Sequence, residues 1–129
     1  MHNYKRGYNF EIRVRDKFRE SGYEAERKAA SAPYDLLIMK DGRISFIIDA
    51  KKTGQKDKDH LYVDRKSIES VKEEAEKIGS VPLIVYGFYR TPIYVKEAEE
   101  LLDRDGKHIR LEGGVKLDDF LENYSPPKL

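Results

Sequence analysis

Apolar residues recur along this chain with two different periods, and the switches between them mark out its elements. Tyr8, Phe10, Val14 and Phe18 fall near helical spacing with charged residues among them, and Gly22 follows as a stop. The spacing predicts a first helix over roughly 6–21. Residues 23–29 alternate loosely, as an edge strand does, and 31–33 read as a loop. Two apolar runs, 36–39 and 44–48, flank Asp41-Gly42. A two-residue type I′ turn needs positive φ at both positions, so Asp-Gly between such runs predicts a β-hairpin. The polar stretch 51–59 reads as a loop. Ile68, Val71, Ala75 and Ile78 then form a helical stripe, with Asp64 upstream as a candidate cap and Gly79 closing it.

Residues 81–88 are the most strand-like run of the second half, and 93–95 is placed to return antiparallel to it. Short helices over 96–102 and 116–124, with a short strand over 108–111 between them, complete the pattern. The order α-β-β-β-α-β-β followed by short elements is that of an α/β protein, with a central mixed sheet flanked by helices. At 129 residues the chain is expected to form one domain, 1–129, with its core over about 5–95 and a C-terminal extension over 96–129.

Composition narrows the chemistry. With no Cys, a disulfide framework, a cysteine zinc site and a thiol nucleophile are excluded. No apolar run approaches the ~18 residues of a membrane span, and no apolar signal region follows the opening residues. A soluble, cytoplasmic protein with no membrane partner is the expectation. Charged residues make up 38% of the chain, against roughly a quarter in ordinary domains. The net charge is only +1, so its distribution matters more than its sum. Residues 1–30 and 43–66 each carry a balance of +3, whereas 96–129 carries −3.

The most informative local feature is Asp35 together with Asp49-Ala50-Lys51. Asp35 opens the first hairpin strand and Asp49 and Lys51 end the second, so the hairpin brings them to one end of a sheet. Residues two apart on a strand share a face, so Asp49 and Lys51 point the same way. An acid that ends an apolar strand is costly unless paired. A salt bridge to Lys51 or Lys52 is one solution and a divalent metal is another. Two carboxylates are hard oxygen ligands suited to Mg²⁺ or Mn²⁺ and not to zinc. Such an ion polarises a phosphoryl oxygen and lowers the pKa of a bound water, and a nearby lysine can stabilise the charge that develops.

These residues sit within a longer series that resembles the PD-(D/E)-x-K nuclease superfamily and, within it, the archaeal Holliday junction resolvases. The series runs from Lys5-Arg6-Gly7 and Glu11 through Gly22-Tyr23, Arg27, Ser31 and Asp35 to Asp49-Ala50-Lys51 and the segment 58–63, then through the second helix to Gly79 and the strand at 81–88. The resemblance covers residues 5–90. It implies a restriction-endonuclease-like fold and a homodimeric, metal-dependent endonuclease of recombination and repair that cuts four-way DNA junctions by paired symmetric nicks. By position, Glu11, Asp35 and Asp49 would bind Mg²⁺, with Mn²⁺ substituting. Lys51 would act on the attacking water, and Ser31 would lie on a loop near the scissile phosphate. Arg27 would contact the DNA backbone, with Lys5, Arg6, Lys52, His60 and Tyr62 as further DNA-binding candidates. No organic cofactor is implied.

The chain departs from the pattern at three places. Asp49 stands where the family usually has Glu, which retracts the carboxylate by one methylene. Tyr34 replaces the proline of the superfamily motif, and Ile12 stands where relatives often carry Arg. Two other readings fit the same residues. One is a restriction-like or repair nuclease acting on duplex or flap DNA. The other is a non-catalytic DNA-binding protein on the same fold.

Overall fold

The computed structural model describes residues 2–29, 31–54, 59–88 and 92–124, with side chains from residue 8 onward. Helix α1 (His2–Glu20) leads through a turn at Gly22 into strand β1 (Glu24–Arg27). Strands β2 (Leu36–Lys40) and β3 (Arg43–Lys52) form the expected hairpin, with φ of 53° at Asp41 and 78° at Gly42. Next come β4 (His60–Asp64), α2 (Arg65–Ile78) and β5 (Val81–Gly87). The chain continues through β6 (Tyr94–Glu97), α3 (Ala98–Leu102), β7 (His108–Glu112) and α4 (Leu117–Asn123).

Five strands form one mixed sheet in the order β1-β2-β3-β5-β6. Only β3 and β5 run parallel, joined by a crossover through α2, and the other neighbours are antiparallel. Side-chain alternation along β3 sends Phe46 and Ile48 to one face, where they pack with Phe10, Val14 and Phe18 of α1. It sends Ile47 to the other face, against Val71 and Ala75 of α2. The α2 stripe read from the sequence is therefore buried within this chain at Ile68, Val71 and Ala75. Gly79 closes that helix in the left-handed conformation, φ 82°, its N–H returning to the Ala75 carbonyl.

One strand is added and one local reading is corrected. Residues 60–64, to which the sequence pattern assigns no element, form β4, because they pair antiparallel with β7 in a separate two-stranded ribbon. Asp64 holds the cap position of α2 but makes no side-chain cap hydrogen bond. Its carboxylate instead meets His108 Nδ1 across the ribbon, at 2.9 Å. The ribbon and α3 share a third apolar cluster, in which Val63, Ile109, Leu111, Ala98 and Leu101 surround Ile68, Ile84 and Tyr86. Tyr86 adds a polar tie, its hydroxyl donating to the Glu112 carbonyl at 2.8 Å. Among the described residues no helix is long and apolar enough to cross a membrane.

Candidate active site

One end of the β2–β3 hairpin carries the acidic residues, and backbone hydrogen bonds fix them there. The Asp35 N–H donates to the Ile48 carbonyl at 2.8 Å, and the Asp35 carbonyl accepts from the Lys28 N–H at 2.9 Å. The Asp35 side chain then accepts the Ala50 N–H at Oδ2, 2.8 Å away. Three bonds, two of them to β3, thus seat Asp35 beside Asp49. Asp49 and Lys51 share the face of Ile47, as strand parity requires, and the Lys51 ammonium lies 3.5 Å from Asp49 Oδ1.

These side chains open into a cleft of about 300 Å³ between the sheet end, the turn at 32–34 and the first turns of α2. Asp35, Asp49 and Lys51 line it from the sheet, and Ser67 and Ser70 line it from the helix. The two serines are three positions apart and so share one helix face. Nothing in the sequence pattern singled them out; their spacing is a signal only once α2 is known to cover this end of the sheet.

Asp49 is the one charged side chain buried among the described residues, at 7% exposure. Burial pushes its carboxyl up to about 7. The Lys51 ammonium pulls it back down, while the hydrogen bond and negative charge of Asp35 push it further up. Two carboxylates in contact with one ammonium beside them leave uncompensated negative charge, which a proton or a cation satisfies. Their oxygens are the hard donors that a divalent ion of the Mg²⁺ type takes, so this pair fits such an ion.

Glu11 approaches from the other side of the sheet. Arg27 ends β1 opposite Leu36, and its side chain shares the α1 face with Ala25. There its Nε and Nη2 each reach Glu11 Oε1 at 3.1 Å. The Glu11 carboxyl is raised by partial burial and then by the charge of Asp35, and lowered by Arg27 and Lys51. It therefore senses Asp35 and Lys51, though Arg27 engages it directly. As the side chains stand, no group of three or more His, Asp or Glu among the described residues is assembled to hold a metal.

The remaining candidates are spread around this centre. Ser31 is exposed on the loop joining β1 to β2, next to the residues that line the cleft. Lys52 points to the α1 face, its ammonium 5.8 Å from the centre of the Phe10 ring. His60 and Tyr62 stand on β4 with their rings edge to face at 5.7 Å. His60 Nδ1 meets the Asp59 carboxylate at 3.0 Å, and neither ring lines the cleft. Lys5 and Arg6 fall in the first turns of α1, and their side chains lie outside the described residues, as does Lys58 of the 58–63 motif.

Comparison with known proteins converges on one family. A family model described as archaeal Holliday junction resolvase (Hjc) matches residues 2–127. The crossover junction endodeoxyribonuclease Hjc of Methanocaldococcus jannaschii is 25% identical over 115 residues, spanning 89% of this chain and 82% of that protein. The solved structure of Archaeoglobus fulgidus Hjc, a Holliday junction resolvase from an archaeal hyperthermophile, matches with a TM-score of 0.76 at 16% identity. That match covers 93% of this chain and 98% of the other. At that identity the likeness speaks to the fold, and it bears out the restriction-endonuclease-like arrangement of a central mixed sheet flanked by helices.

Proposed function

The chain belongs to the archaeal Holliday junction resolvase (Hjc) family, and from that premise we propose that it is a Mg²⁺-dependent endonuclease that resolves four-way DNA junctions as a homodimer. The observation that carries the chemistry is the convergence of Asp35, Asp49 and Lys51 in one cleft at the end of the hairpin.

Asp35 and Asp49 would hold the Mg²⁺, with Glu11 as a third ligand and Mn²⁺ able to substitute. Bound there, the ion supplies Lewis acidity toward a phosphoryl oxygen. The chain's own residues do the rest. The Asp35 carboxylate is oriented by the Ala50 N–H, which holds its Oδ2 to the backbone at the edge of the cleft. Lys51 places a positive charge beside the reacting phosphate, where it orients the attacking water and stabilises the charge that develops on the phosphorane-like transition state. Arg27 and Lys52, on the opposite face of the same sheet end, would take neighbouring backbone phosphates, and Lys5 and Arg6 stand as further candidates for such contacts. Ser31 would approach the scissile phosphate from its exposed loop. His60 and Tyr62 would touch a more distant part of the DNA from the ribbon.

A two-fold dimer suits the substrate, since it can set one active site on each of two opposed strands. Affinity from phosphate contacts falls steeply with salt, and selectivity among branched DNAs would come from shape and deformability more than base edges. The test is incubation of the protein with a mobile four-way junction and a linear duplex of matched sequence, in Mg²⁺ or in EDTA. Paired, metal-dependent nicks near the junction centre with the duplex left whole are expected. Equal cutting of the duplex would replace this reading with a restriction-like or repair nuclease. Tight junction binding without cutting would leave a non-catalytic DNA-binding protein.

A further inference from the structure

Three large apolar side chains stand exposed among the described residues: Tyr8, Tyr62 and Val115. Tyr8 is 45% exposed, and its position is informative. It lies three residues before Glu11 on α1, so the two project from one side of that helix. Between them sits the Arg27 guanidinium, its carbon 4.3 Å from the centre of the Tyr8 ring and its Nε and Nη2 bonded to Glu11. The guanidinium therefore sits over the aromatic face while the carboxylate takes its Nε–Nη2 edge. Among the described residues no hydrogen bond is made by Nη1.

An arginine at the end of an edge strand ordinarily samples many rotamers, and each contact it makes costs the entropy of choosing one. Here two contacts from one rigid helix choose the rotamer beforehand. Arg27 also lies one residue from Lys28, whose N–H bonds the Asp35 carbonyl, so the fork stands at the same end of the sheet as the acidic cleft, on its α1 face. The planar guanidinium presents paired donors that match phosphate geometry, and stacking on an aromatic face leaves those in-plane donors free.

We propose that Tyr8 is a positioning residue: its ring holds Arg27 as a preformed fork whose open edge takes a DNA backbone phosphate beside the scissile one. This rests on Arg27 being a phosphate contact of the junction resolvase. Tyr8 acts through Arg27 and not on the DNA itself. The ring is what matters, so the phenol hydroxyl is dispensable.

The test is junction affinity measured in EDTA, so that no cleavage intervenes, at two salt concentrations. Wild type is compared with Tyr8→Phe, Tyr8→Leu, Tyr8→Ala, Arg27→Ala and the double variant Tyr8→Ala/Arg27→Ala, each checked for an unchanged thermal midpoint. Arg27→Ala should weaken binding about tenfold and flatten the salt dependence. Tyr8→Ala and Tyr8→Leu should each weaken it about two- to fivefold, and Tyr8→Phe should bind as wild type does. The double variant should bind no worse than Arg27→Ala, since Tyr8 has nothing left to position. Additive losses in the double variant would overturn the proposal in favour of direct contact between Tyr8 and DNA. Wild-type binding by Tyr8→Ala, or failure of Tyr8→Phe to rescue, would overturn it outright. Wild-type binding by Arg27→Ala would instead remove the phosphate role of Arg27 on which the proposal stands.

Discussion

Asp49 lies buried beside Asp35 at the outer end of the β2–β3 hairpin, and burial, opposed by the Lys51 ammonium and reinforced by the Asp35 carboxylate, sets the protonation of the site. With the Asp49 carboxyl raised to about 7 from 3.8, the folded protein binds a proton there more tightly than the unfolded chain does. The associated stability is full below pH ~4 and is lost as pH rises through about 7. Glu11 is also raised, so its contribution has the same sign.

The metal-free protein is therefore expected to be more stable near pH 5 than near pH 8. Asp49→Asn removes the titrating group and should flatten that dependence. It should also raise the thermal midpoint at pH 8, where each kcal/mol is worth roughly 4 °C in a chain of this size. Thermal unfolding in EDTA across this range checks both points. Parallel pH profiles for wild type and Asp49→Asn would remove the basis for the raised carboxyl.

Mg²⁺ held by the pair would give it a second route to charge balance, so binding should show as stabilisation. In millimolar Mg²⁺ at pH 8 the wild-type midpoint should rise, and neither Asp35→Asn nor Asp49→Asn should respond. An equal rise in the Asn variants would place the ion elsewhere.

Asp35→Asn and Lys51→Ala should each lower junction cleavage by about three orders of magnitude, within the range for a single electrostatic catalytic group. Junction affinity in EDTA should be little changed, since it is spread over many backbone phosphates and these two residues face only the scissile one. Single-turnover cleavage together with gel-shift affinity separates the two quantities. Nicking retained at wild-type rate in either variant would dismiss the assignment of this cleft as the active site.

The hairpin and its chemistry were legible because they are local. Asp41-Gly42 dictates a two-residue turn that brings the outer ends of the two strands together, and strand parity sets Lys51 on the face of Asp49; a bulge at Ile38/Met39, which the turn does not announce, then shifts the register by one so that Asp35, just beyond the Leu36–Ile48 pair, falls beside Asp49. What was not legible depends on pairing between distant segments. β4 is a strand because His108–Glu112 pairs with it, and its own short, polar-flanked sequence carries no such message. Asp64 looks like a helix cap until His108 of that partner strand takes its carboxylate. The cleft serines emerge only when the crossover lays α2 over the sheet end, and the grip of Tyr8 and Glu11 on Arg27 only when α1 docks against β1.

Residues 98–123 carry no part of the chemistry read from the sequence, yet they pack behind the site. Leu101 of α3 is fully buried in the cluster that holds Ile68 of α2 and Ile84 of β5. Helix α2 also supplies the serine wall of the cleft, so this apolar contact supports the site from behind. Leu101→Ala leaves a cavity within that packed cluster and should cost about 2–5 kcal/mol. Denaturant unfolding measures that loss, and cleavage by the fraction still folded should remain near wild type, since no cleft residue is changed. A loss below about 0.5 kcal/mol would mean that α3 packs loosely and that the nuclease core stands without it.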